Sequence, residues 1–94
     1  MKEATIERKL VSDAKLRGGI CTKWVSPGYD GVPDRIVLLP GGKIGFVEVK
    51  ALGKKPRPLQ TARHKTLMKL GFRVFVIDSP EQIGEVLDEI ENNL

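Results

Sequence analysis

Two largely apolar runs, DRIVLL (34–39) and KIGFVEVK (43–50), are joined by Pro40-Gly41-Gly42, and no other feature of the chain restricts its fold as tightly. Both runs are rich in β-branched residues and the Pro-Gly-Gly between them breaks any helix, so they read as the strands of an antiparallel hairpin. Side chains alternate along a strand, which puts Ile44, Phe46, Glu48 and Lys50 on one face of the second run and Gly45, Val47 and Val49 on the other. Across the turn, Asp34, Ile36 and Leu38 share a face. The length of the turn decides whether the two charged sets meet. A two-residue Gly41-Gly42 loop pairs Leu39 with Ile44 and Arg35 with Glu48, sending Asp34 to the opposite face. A three-residue loop pairs Leu38 with Ile44 and Asp34 with Glu48. Pro40 is preset for the first central position of a type I turn and Gly42 suits the left-handed residue that follows, so the three-residue loop is expected.

The flanking segments supply the rest of the architecture. Residues 3–17 carry Ile6, Leu10, Val11 and Ala14 at helical spacing and stop at Gly18-Gly19. Glu7 shares or borders that inward stripe, an unusual address for a carboxylate. Residues 20–25 (ICTKWV) form a short strand with Cys21 as a small buried thiol and Trp24 in the core, and 26–33 (SPGYDGVP) is loop. After the hairpin, LGKKPRP (52–58) is a basic loop. A helix over 58–70 has Pro58 in its first turn, Gly71 as its cap, Leu59, Ala62, Leu67 and Leu70 inward, and His64 on its surface. FRVFVID (72–78) reads as an interior strand. Ser79, Pro80 and Gln82 announce a last helix, whose inward stripe is Ile83, Val86, Leu87, Ile90 and Leu94. The order α-β-β-β-α-β-α implies an α/β fold, a small mixed β-sheet flanked by helices, with a right-handed parallel crossover into the fourth strand. Ninety-four residues are expected to form one domain over 1–94.

Charge is modest in sum, +4, but sharply segregated. Lys50, Lys54, Lys55, Arg57, Arg63, Lys65, Lys69 and Arg73 fall between Val49 and Ile77 without an acid, whereas Asp78 to Leu94 holds six acids and no base. Such a basic block either solvates a face or meets a polyanion such as nucleic acid. A single cysteine excludes an intrachain disulfide, and no span or signal segment points to a membrane, so the expected location is the cytoplasm, close to nucleic acid.

Two carboxylates set directly opposite one another repel unless something neutralises them. A hard divalent cation takes oxygen ligands, needs few protein carboxylates and leaves room for water and phosphate, so Mg²⁺ or Mn²⁺ is the expected cofactor. Lys50, two residues on and on the same face, stands where it can meet charge developing on a phosphate.

Pro33-Asp34 followed after thirteen residues by Glu48-Val49-Lys50 resembles the PD-(D/E)xK nuclease superfamily. More narrowly, GVPD, FVEVK and PRPLQ behind an acidic first helix resemble the VRR-NUC family, the virus-type replication and repair nucleases, with their restriction-endonuclease-like fold. The resemblance spans nearly the whole chain. It implies Asp34, Glu48 and the Val49 carbonyl as metal ligands, Lys50 as the residue that orients water and stabilises the transition state, Glu7 as an acid completing the site, and Gln60 as a residue orienting water or Lys50. It gives the basic residues a use: Lys54, Lys55, Arg57, Arg63 and Lys65 as phosphate contacts, with Tyr29 stacking on an unpaired base or wedging a junction. The expected activity is a structure-specific endodeoxyribonuclease, working as a homodimer on Holliday junctions in DNA repair or recombination, and the chain is expected to be phage-encoded and nucleoid-associated in a host cell. The alternatives are a flap, nick or duplex nuclease acting with a helicase or replication partner, and a catalytically idle module that binds branched DNA.

Overall fold

The computed structural model describes residues 2–93 and arranges them as α1 (Glu3–Leu16), β1 (Ile20–Lys23), β2 (Arg35–Leu39), β3 (Lys43–Val49), α2 (Pro58–Lys69), β4 (Val74–Ile77) and α3 (Ile83–Glu91). A 3-10 turn over Pro80–Gln82 leads into α3, where the sequence pattern implied α-helix from Pro80 onward. Gln82 still acts as the cap: its Oε1 accepts from the amides of Asp78 at 2.7 Å and Ser79 at 3.1 Å. Leu94 lies outside the described residues.

The β2–β3 register is that of the three-residue loop, with Leu38 opposite Ile44 and Leu39 opposite Lys43. The turn itself differs from the type I expectation. Gly41 and Gly42 have φ of 86° and 74°, and a positive φ at the second central position belongs to a type II turn, which Pro40-Gly41 suits. Both glycines are therefore used, and the register survives because loop length rather than turn type sets it.

The four strands run in the order β1-β2-β3-β4, the first two pairings antiparallel and β3–β4 parallel. This corrects the interior-strand reading of residues 72–78, since β4 is an edge. The apolar run reports on the strand's two faces, which helices help to cover, and carries no information about its free edge.

One face of the sheet is closed by α1 and α3. Ile6, Leu10 and Ala14 meet Ile83, Val86, Leu87 and Ile90 over Cys21, Val37, Leu39, Val47, Val49 and Ile77, each large aliphatic contributing roughly 1.5–3 kcal/mol by burial. Gly45 lets α3 approach: a Cβ there would lie 2.5 Å from the Ile90 side chain. Burial pushes the Cys21 thiol up to about 11. The opposite face is only partly covered. Trp24 stacks on Phe46 at 4.9 Å and Phe46 meets Phe72 edge-on at 5.4 Å, while Ile20 and Leu38 stay exposed. Over this face α2 turns Gln60, His64 and Leu67 inward, and Leu59, Ala62 and Leu70 face solvent, reversing most of the expected stripe. His64 is consequently buried rather than a surface residue, at 6% exposure. No described helix is long and apolar enough to cross a membrane.

Candidate active site

β3 ends in Glu48 and Val49, with Lys50 directly after them, and the segment is held on both sides. Its last residues pair with β4 through Glu48–Val76 and Val49–Ile77, and the Lys50 amide donates to the Ile77 carbonyl at 2.9 Å. On the β2 side the ladder sets Arg35 opposite Val47, and one further step sets Asp34 across from Glu48. The Val49 amide donates to Asp34 Oδ2 at 2.8 Å, and the Trp24 amide to the Asp34 carbonyl at 3.0 Å. The Pro33-Asp34 corner is thus tied to both neighbouring strands.

Glu48 is fully buried, at 0% exposure. Lys50 Nζ forms an ion pair with its Oε2 and Gln60 Nε2 donates to the same oxygen, each at 2.9 Å. Gln60 in turn accepts from the Arg57 amide at 2.9 Å, so one side chain couples the start of α2 to the carboxylate. Gln60 therefore supports Glu48 directly, rather than Lys50. Burial pushes the Glu48 carboxyl above its ordinary range; Lys50 opposes the shift and the neighbouring Asp34 charge adds to it. Burial lowers the His64 pKa, and Lys50 lowers it further against Asp34, which acts to raise it. Glu48 Oε1 and His64 Nε2, 3.7 Å apart, are both buried without a hydrogen-bond partner among the described residues.

A buried acid, a second acid pressed close enough to raise its pKa and an acceptor oxygen left unsatisfied form a site short of positive charge. The side-chain donors here are hard oxygens, those of two carboxylates. They fit a small divalent cation that retains its own waters, rather than a closed cage, and among the described residues no three His, Cys, Asp or Glu side chains converge as one.

The structure does not bring Glu7 to this cluster. Its Oε2 accepts from Arg35 Nε at 2.6 Å, and Arg35 belongs with Val37 and Leu39 to the set facing α1. The pair ties α1 to β2 on the opposite side of the sheet from Glu48. Nothing in the spacing of residues 3–17 identified Arg35 as the partner, because the pair spans 28 positions.

The expected nucleic-acid contacts divide into two groups. Lys54, Lys55, Arg57 and Lys65 are exposed, the first three on the loop leaving Lys50. Arg63 and Tyr29 are engaged with each other: the guanidinium lies 4.0 Å over the ring, and Arg63 Nε donates to the Asp30 carbonyl at 2.7 Å. This pairing fastens the loop before Asp34 to α2. The residue that sequence reasoning missed is His64, whose only signal was its position one helical turn beyond Gln60.

No family model matches the chain. Over 81 residues, 86% of this chain and 87% of the relative, it is 53% identical to the protein named "Putative nuclease p44" of Acyrthosiphon pisum secondary endosymbiont phage 1. A solved structure described as a VRR_NUC domain superposes with a TM-score of 0.87 at 35% identity, covering 94% of this chain and 96% of that one.

Proposed function

The chain belongs to the VRR_NUC nuclease family, and we propose that it is a divalent-metal-dependent, structure-specific DNA endonuclease acting as a homodimer on four-way junctions. The observation that carries the catalytic reading is Glu48: a carboxylate with no exposure, beside Asp34, carries a desolvation cost that an apolar side chain there would not. Asp34, Glu48 and the Val49 carbonyl would hold Mg²⁺ or Mn²⁺, which when bound supplies positive charge to a phosphodiester and makes water easier to deprotonate. Lys50 keeps its ammonium fixed by the 2.9 Å bond to Glu48. Its remaining protons can then be directed at water or a non-bridging phosphate oxygen, where negative charge grows as the attacking oxygen bonds to phosphorus.

The exposed cations on the loop after Lys50 would meet phosphates flanking the cut, setting position without reading bases. Arg63 covers one side of the Tyr29 ring, and at 40% exposure the ring retains open surface for an unpaired base at a branch point. A small domain has little surface for reading a long sequence, which favours branch shape as the target. Resolving a four-way junction requires two symmetric cuts, hence two sites related by a two-fold axis. The deciding experiment incubates the protein with a four-way junction, a matched duplex, a flap and a splayed arm, with and without Mg²⁺ or Mn²⁺. Metal-dependent paired nicks confined to the junction are expected. Equal cutting of linear duplex refutes the junction preference, and binding without any cutting refutes the nuclease.

A further inference from the structure

The Glu48 carboxylate is fastened at only one of its oxygens. Lys50 and Gln60 both converge on Oε2, so together they fix that atom's position but leave the carboxylate plane free to turn about it. The other oxygen, Oε1, has no donor, and the imidazole Nε2 facing it across 3.7 Å has no acceptor. Each buried orphan has given up its bonds to water without a protein bond in return. The two are complementary, and their separation exceeds an ordinary N–H···O distance by roughly 0.7 Å. One small movement satisfies both. His64 follows Gln60 by four residues, so successive turns of α2 present two donors to the two oxygens of one carboxylate, and both side chains are 6% exposed.

An apolar side chain at position 64 would fill the same space without adding an orphaned nitrogen of its own, so packing of α2 gives no account of an imidazole there. We propose that His64 is a positioning residue: its Nε2–H donates to Glu48 Oε1 when the site is loaded, setting the carboxylate plane relative to Asp34. This rests on the reading of Glu48 as a cation-holding carboxylate. Groups that orient a ligating carboxylate typically affect metal affinity by about 10–100-fold.

The test is calorimetric titration of Mn²⁺, and separately Mg²⁺, into the full chain without DNA, comparing wild type, His64→Leu and His64→Gln. His64→Leu is expected to weaken binding of both ions by about tenfold or more, with kcat for cleavage falling while KM for DNA holds. His64→Gln, whose amide can reach the same oxygen, is expected to recover most of the loss. Thermal unfolding without metal should show the Leu variant folded and at least as stable as wild type, the outcome a packing role would not combine with lost affinity. Wild-type binding matched by His64→Leu overturns the proposal and leaves the cation site standing. A loss that Gln does not restore, larger for Mn²⁺ than for Mg²⁺, overturns it in favour of direct ligation. Absence of metal binding by wild type instead defeats the underlying reading of Glu48. Nitrogen NMR of the wild-type imidazole provides a readout independent of any variant: Nε2 must carry the proton in the Mg²⁺-loaded protein, and a bare Nε2 overturns the proposal.

Discussion

Alternate residues of the same strands build the two faces of the sheet, yet the faces obey opposite rules. Toward α1 and α3 the sheet presents Val37, Leu39, Val47 and Val49, with Gly45 making room for Ile90. Toward α2 it presents Asp34, Glu48 and Lys50 at one end and a partly exposed apolar surface at the other. Satisfied burial on the first face provides stability, while the second holds a compressed group of charges and two orphaned polar atoms. A domain this small can carry such a cluster because the closed face lies directly behind it on the same backbone.

The contrast breaks most visibly in activity. Asp34→Ala, Glu48→Ala and Lys50→Ala are each expected to lower the cleavage rate by about 10²–10³-fold or more, with junction binding changed only a few-fold. Single-turnover kinetics beside gel-shift titration would show it, and parallel loss of binding would move these residues into the DNA interface. On the closed face, Leu87→Ala should cost about 2–5 kcal/mol in denaturant unfolding while leaving the rate per folded molecule unchanged.

Glu48→Gln should do the reverse, abolishing cleavage and stabilising the metal-free protein at neutral pH by on the order of 1 kcal/mol. The sign follows from the raised pKa. Between its ordinary value of 4.5 and its higher folded value, the folded protein holds more protons than the unfolded one at this group, so this contribution to stability falls as pH rises through that window. The advantage of the Gln variant should therefore vanish below about pH 4.5 and shrink when Mg²⁺ is added to wild type. Melting curves at several pH values would decide it, and a constant gap would mean Glu48 is not the group responsible. The smallest effect is expected from Leu38→Lys, within about 0.5 kcal/mol on the exposed surface, whereas Val37→Lys one residue away should prevent folding.

Local chemistry made part of this legible in the sequence. Pro40-Gly41-Gly42 specifies a loop length, loop length specifies register, and register turned Asp34 toward Glu48. The stripes of α1 and α3 were legible because their buried positions are apolar. α2 defeated the same logic, since two of its three buried residues, Gln60 and His64, are polar and face a charge contributed by a strand. Hydrophobic periodicity cannot register a helix that turns inward to serve a carboxylate. Nor could it show that Arg35 holds Glu7, or that β4 lacks a neighbour on one side, because both depend on which elements meet.

The bond from the Val49 amide to Asp34 gives the molecule an internal gauge. That proton belongs to the backbone yet senses the electron density of an acidic side chain across the hairpin. In a proton–nitrogen spectrum its resonance should shift when a cation draws on the Asp34 carboxylate or when the strand end frays. The state of the cluster can therefore be followed from a single peak, with no probe attached and no substrate present.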